Sequence, residues 1–273
     1  MAGCPAPGRQ PGLDPDLLGA YHEPVDDNAY TNVMARWNLR RGADATPDET
    51  ERREWLRLAD ALVDGYDPMS GLYEQFAGFS RLEPIIIADV APRRPIAADL
   101  FLGPERTAGA QVLKQADVLM LHHLVPDEVE EGSLLPNLDF YEPRTAHGSS
   151  LSPATHASLL ARAGRFREAL VALRTAARID LDDLTGTTAS GIHLATMSGL
   201  WQALVFGFAG VGRRGAALLV EPRLPLDWGA LELRLRFRDA PLRLRIARDG
   251  VELESDGRLS LHEVGKRWEV RPR

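Results

Sequence analysis

A chain of 273 residues with 44% apolar and 26% charged side chains has the balance of a water-soluble globular protein, with room for one large domain and a small companion. Its formal net charge of -7 excludes nucleic-acid or anionic-membrane binding driven by bulk charge, so an anionic ligand needs a local positive pocket. The single cysteine, Cys4, excludes an intrachain disulfide and fits a reducing, cytoplasmic setting, and no apolar run approaches the roughly 18 residues of a membrane-spanning helix.

Met1 to Leu18 is dominated by Gly and Pro, which predicts a disordered tail and lacks the apolar run of a signal peptide. Asn28 to Arg41 brings Tyr30, Val33, Met34, Trp37 and Leu39 close to one helix face, with Asp26 and Asp27 placed to cap it. Thr46-Pro47-Asp48-Glu49 predicts the next helix start, with Thr46 as cap, Pro47 in the first helical position and Glu49 closing a capping box. Trp55, Leu56, Leu58, Ala59, Leu62 and Val63 then fall on one side of that helix. Gln111 to Leu124 predicts another apolar helix. Ser152-Pro153 opens a further one, which Gly164 closes, and Phe166, Ala169, Leu170, Leu173 and Ala176 mark its antiparallel partner. Ile192 to Phe208 is apolar nearly all round and predicts a buried helix.

From about residue 216 the period changes to two. Leu231 to Phe237 and Leu242 to Ile246 alternate strictly, and Asp249-Gly250 and Asp256-Gly257 are tight-turn signals. These predict a small antiparallel β unit, with the alternating arginines on its solvated face and no nucleic-acid role.

Some polar residues have ordinary explanations on type alone. Ser149 to Ser152 suit helix capping, Lys114 suits a snorkelling position, and His193 suits a satisfied core histidine. His122-His123 is a weak metal signal, because adjacent helical residues point about 100° apart. Asp180, Asp182 and Asp183 lack the terminal Glu of a calcium loop and read as a solvated turn. No metal is expected.

Six strings stand in order along the chain: Tyr21-His22-Glu23-Pro24-Val25-Asp26-Asp27-Asn28-Ala29-Tyr30-Thr31-Asn32, Tyr73-Glu74-Gln75-Phe76, Lys114-Gln115-Ala116-Asp117-Val118, Tyr141-Glu142-Pro143, His147-Gly148-Ser149-Ser150-Leu151-Ser152 and Gly191-Ile192-His193-Leu194-Ala195. Together they resemble the C-terminal half of glycoside hydrolase family 65, the maltose, trehalose and kojibiose phosphorylases. The resemblance implies a mainly α fold: part of an (α/α)6 toroid followed by a small antiparallel β domain. It divides the chain into a disordered tail at 1–19, the C-terminal half of the catalytic domain at 20–212 and the β domain at 213–273.

The activity implied is inverting phosphorolysis of an α-linked glucose disaccharide to β-glucose 1-phosphate, with inorganic phosphate as co-substrate and no cofactor. By the resemblance, His147, Ser149, Ser150 and His193 contact phosphate, while Lys114 and Gln115 hold the sugar. The family's general acid sits in a Gly-Pro-Asp-Glu-Tyr-His string, and the matching residue here is Ala20, which cannot transfer a proton. Loss of a positioned acid costs about 10²–10⁴-fold. The resemblance also stops there, as in a truncated frame or a degenerate paralogue. A second departure is Met197-Ser198-Gly199, where the family has Gly-Gly-Thr before Trp201. A non-catalytic fragment with residual phosphate or sugar binding is therefore one alternative. An acid-trehalase-like hydrolase is another, opposed by the His147–Ser152 string. Half a toroid also implies uncovered apolar faces, met by self-association or by a separately encoded N-terminal half.

Overall fold

The computed structural model describes residues 21–22, 25–91 and 94–273. The predicted tail at 1–19 and the acid position Ala20 lie outside the described residues. Helices dominate the described chain to residue 208, with one short hairpin among them, and antiparallel strands follow. No helix of the described residues is long and apolar enough to cross a membrane.

Helix α1 (Ala29–Ala45) is capped by Asn28, whose side chain accepts from Thr31 N at 2.9 Å. Asp26 and Asp27 are therefore not the caps. Asp27 takes a positive φ of 49°, and its carboxylate accepts instead from the Asn32 amide at 3.4 Å. Helix α2 (Glu49–Ala61) likewise starts at Asp48 and not Thr46. The Asp48 carboxylate accepts from Thr50 N and Glu51 N at 2.7 and 3.1 Å, because an anion at a helix N-terminus is the stronger acceptor. The apolar side of α2 is only partly covered. Trp55 packs over Gly42, but Leu56, Leu58 and Val63 remain exposed.

A two-residue hairpin, β1 (Tyr66–Asp67) with β2 (Leu72–Tyr73), leads into the short helices α3 (Ile87–Val90), α4 (Ala98–Leu102) and α5 (Pro104–Ala108). The helix predicted from Gln111 begins only at Asp117, as α6 (Asp117–Leu124). Residues 111–113 spend their backbone groups sideways. Gln111 N donates to Glu83 O at 2.8 Å, Leu113 N to Arg144 O at 3.0 Å, and Ala146 N to Leu113 O at 2.7 Å. Apolarity there marks a buried extended segment, which periodicity alone does not separate from a buried helix. Helix α7 (Leu134–Tyr141) follows.

Helix α8 (Ser152–Arg162) is the axis of the helical part: every residue from Ser152 to Ala161 is buried. It ends as predicted at Gly164, at φ 76°, where Gly164 N donates to Ala161 O and Arg165 N reaches back to Leu160 O. Helix α9 (Phe166–Arg178) returns against it. The stretch predicted as one buried helix is instead α10 (Leu194–Gln202) continued by a π-helical turn, Ala203–Phe208. Only one face is covered. Gly207 lies so close to α8 that an added Cβ would be 2.6 Å from Ser158 Cα, whereas Ile192 and Leu194 are 63% and 71% exposed.

Two sheets close the chain. One has the order β3 (Val211–Arg214), β4 (Ala217–Val220), β9 (Arg267–Pro272), β8 (Leu259–Val264); the other is β5 (Ala230–Phe237), β6 (Ala240–Ala247), β7 (Val251–Ser255). Leu242, Leu244 and Ile246 of β6 point inward. The intervening Arg243 pairs with Glu232 and Glu254 across the sheet, and Arg245 with Glu252, so the arginines form a solvated, ion-paired face as predicted. Asp249-Gly250 closes the β6–β7 hairpin, while Asp256-Gly257 carries the chain from one sheet to the other. Phe208 stacks on Trp228 at 4.8 Å and joins the helical core to the strands.

The contact at Gly207 is testable. Gly207→Ala overpacks the α8 interface and should cost about 1–3 kcal/mol. Gly212→Ala, where an added Cβ meets nothing within 4 Å, serves as the control. Equal urea midpoints for the two variants would show that the close approach is absent.

Candidate functional site

The His147–Leu151 loop links the extended pairing of residues 113 and 145 to the start of α8. A smaller core cluster of Ile85, Ile87, Ala98, Ala110, Val112 and Ala146, with Tyr21 and Ile96 against it, supports the loop from below. Ile96 N donates to Ala146 O at 3.0 Å. Gly148 passes under tight restraint. A Cβ there would lie 3.1 Å from both Ile96 O and the Tyr21 hydroxyl, and 3.3 Å from Lys114 Cγ. Lys114 and Tyr21 are thus brought against the loop, although 34 and 127 residues separate them from Gly148 in the chain. The Tyr21 hydroxyl accepts from Ala98 N at 2.8 Å, and burial pushes its pKa to about 12, so it stays protonated.

Ser149 and Ser150 sit half-buried at the N-terminus of α8. No side chain caps that terminus. Ser152 Oγ is engaged with His147 Nδ1 at 2.8 Å, and Ser149 Oγ makes only a long contact, 3.4 Å, with Leu151 N. Helix capping therefore does not account for this run of serines. An uncapped helix start with adjacent hydroxyls is an anion site in type. The start of α10 adjoins it, since Thr196 Oγ1 donates to Ser150 O at 2.6 Å and Gly199 lies against Ala154. His193, the N-cap residue of α10, is one turn away.

The site residues named from the sequence separate into two groups. Lys114, Ser149, Ser150 and His193 occupy this one region. His147 is in the loop, but its ring turns inward. It is 6% exposed, is held by Ser152 and lies edge-on to His156 at 4.6 Å. Burial holds it far below the usual imidazole range, so it is neutral and shapes the loop, adopting a positive φ of 57° to do so. Gln115 is drawn toward Asp117 at 3.5 Å. Burial raises the Asp117 carboxyl, while Asn28, Gln115 and Gln75 oppose that rise by hydrogen bonding to it.

Sequence reasoning missed three residues. Asp180, read as part of a solvated turn, accepts from His193 N at 2.9 Å and pairs with His193 Nδ1 at 2.5 Å. His156 is fully buried with neither ring nitrogen hydrogen-bonded. Arg94 donates to Glu142 Oε1 at 2.8 Å and to the Glu142 and Thr145 carbonyls, clamping the segment before the loop. An aspartate thirteen residues before a histidine leaves no local pattern, and only the fold makes them neighbours.

Glu142, His147 and His156 approach within 4.8 Å of one another, a spacing compatible with a metal ion. The Arg94 guanidinium already neutralises Glu142 and lowers the proton affinity of both histidines, which opposes a dication, and we assign none. His122 and His123 diverge. The first bonds to Val118 O and Ser133 Oγ, and the second to Gln202 Oε1.

The chain is thus a helical region with a serine loop at a helix start, followed by antiparallel sheets. Residues 15–202 match the glycosyl hydrolase family 65 central catalytic domain and residues 213–270 the family 65 C-terminal domain. The chain belongs to glycosyl hydrolase family 65. It is 32% identical to a kojibiose phosphorylase of Caldanaerobacter subterraneus subsp. tengcongensis, over 86% of this chain and 33% of that protein. It is 30% identical to an alpha,alpha-trehalose phosphorylase of Geobacillus stearothermophilus, over 90% and 35%. A solved structure, a putative kojibiose phosphorylase from the human microbiome, superposes with a TM-score of 0.80 at 26% identity, over 93% of this chain and 38% of that one. The chain spans about a third of the length of the curated relatives it matches.

The neutral histidine pair should make the fold acid-sensitive. Burial holds His156 at about 3 and His147 well below its ordinary value, against roughly 6.5 in an unfolded chain. Below about pH 6.5 the unfolded chain takes up protons that the folded chain excludes. Stability therefore falls with pH, at a slope approaching about 1.4 kcal/mol per unit for each histidine. Urea midpoints across that range should show the fall, and His156→Gln should reduce the slope; an unchanged slope would contradict the buried neutral pair.

Proposed function

We propose that this chain carries the phosphate-holding side of an inverting α-glucoside phosphorylase that releases β-glucose 1-phosphate. The observation that carries the reading is the open α8 terminus, with Ser149 and Ser150 beside it, Lys114 against Gly148 and the start of α10 bonded to Ser150. Backbone N–H groups, hydroxyls and the helix dipole together hold an oxyanion without a net positive protein. His147, neutral and inward, fixes the loop and does not add charge. Lys114 and Gln115 face the sugar in this reading. Phosphate is itself the nucleophile, so the second carboxylate of an inverting hydrolase is not required. That separates the reading from an acid-trehalase-like hydrolase.

The proton to the leaving oxygen has no donor at Ala20. The chain alone therefore binds phosphate, and sugar weakly, without turning substrate over. Its helices form part of an (α/α)6 ring, and the exposed apolar row of Ile192, Leu194, Met197 and Trp201 is a face that such a ring would cover. A cytoplasmic setting suits phosphate as co-substrate.

Inorganic phosphate should raise the unfolding midpoint of the chain. The double variant Ser149→Ala, Ser150→Ala should weaken phosphate binding about ten-fold or more, the scale of one or two hydrogen bonds to an anion. Incubation with kojibiose, trehalose or maltose plus phosphate should yield no glucose 1-phosphate. Turnover by the chain alone would refute the missing-acid argument, and unaltered phosphate affinity in the double variant would remove the loop from the site.

A further inference from the structure

Asp180 stands apart from the acidic residues around it. Asp182 is paired with Arg178 at 2.5 Å, and Asp183 accepts from Thr188 N at 3.0 Å, which are ordinary turn and helix-end contacts. Asp180 instead engages His193 with both carboxylate oxygens. Oδ2 accepts from His193 N at 2.9 Å, and Oδ1 meets His193 Nδ1 at 2.5 Å. Its side chain is only 12% exposed and that of His193 22%. The His193 pairing holds the Asp180 carboxyl below the usual carboxylate range.

A carboxylate accepts hydrogen bonds and cannot donate them. The short contact to Nδ1 therefore requires a proton on Nδ1, and Nε2 is left as the ring atom for any other partner. Among the described residues Nε2 has one contact, a long one of 3.4 Å to Thr187 Oγ1, which a ligand can displace. His193 begins α10, and Thr196 one turn later is bonded to Ser150 O.

We propose that Asp180 is a positioning residue that fixes His193 with Nδ1 protonated and presents Nε2 to the anion held by the Ser149–Ser150 loop. The inference rests on the phosphate reading above. As imidazolium, His193 donates from Nε2 to a phosphate oxygen; as neutral imidazole, it accepts from a protonated one. Either way the ring must keep its proton on Nδ1. Asp180 does for this ring what the buried aspartate does in a serine-protease triad, where replacement by Asn keeps the geometry and leaves the wrong tautomer.

The test uses the full chain, labelled with ¹⁵N, and inorganic phosphate as probe. Long-range ¹H–¹⁵N correlations, assigned with His193→Gln, report the tautomer, and calorimetric titration reports phosphate affinity. The parent chain should show the Nδ1-protonated ring. Asp180→Asn should shift it toward Nε2 protonation and weaken phosphate about ten-fold or more, the size of one charge-assisted hydrogen bond. Asp180→Glu should recover part of both. An Nε2-protonated ring in the parent overturns the proposal without any variant, and so does full phosphate affinity in a folded Asp180→Asn chain. If the parent shows the Nδ1 tautomer but binds no phosphate, the phosphate reading fails, and the anion role of His193 with it.

Discussion

The complete burial of α8 is the constraint on which the helical part depends. A helix surrounded on all sides must have small or apolar residues throughout, and Ser152 to Ala161 supplies Pro, Ala, Thr, Ser and Leu with one exception, His156. Neighbours then approach closely, as Gly207 does at Ser158 and Gly199 at Ala154. The helix cannot tilt or slide without breaking these contacts. Its N-terminus is thereby fixed where it meets the His147–Leu151 loop, and the direction of the helix is set by the core and not by the loop itself.

The electrostatics of the region follow from the same burial. The two histidines beneath the loop are neutral because the core excludes water from them, with Arg94 adding repulsion. In the phosphate reading proposed above, the attraction for an anion comes from the helix dipole, hydroxyls and Lys114, in a protein of net charge -7. Local dipoles let an acidic protein hold an anion without a basic patch.

Where the sequence was legible, a strong local rule was at work. The α8 start and its Gly164 end, the α8–α9 hairpin and the alternating β5–β6 pair each follow from residue types within a few positions. The failures have equally definite causes. Asp48 took the cap position because its carboxylate accepts from Thr50 N and Glu51 N, while Thr46 Oγ1 accepts only from Asp48 N, one step before the helix. Residues 111–113 read as helix because a buried strand and a buried helix look alike over a short apolar run. Ile192 to Phe208 read as buried because composition does not reveal that one face lacks a neighbour. For the candidate site, Lys114, Ser149, Ser150 and His193 were named from ordered family strings, whereas the Asp180 pairing and the inward turn of His147 depend on long-range packing that no spacing encodes.

The order of the four-stranded sheet bears on how the protein is made. Strand β9 lies between β4 and β8, so the last strand in the chain occupies the interior of the sheet. The β3–β4 hairpin is synthesised some fifty residues earlier and waits with an unpaired inner edge until residues 267–272 leave the ribosome. During that interval β5, β6 and β7 can form a complete meander of local contacts. Assembly of the C-terminal part is thus ordered by translation itself: the three-stranded sheet first, then a long loop closure that inserts the final strand.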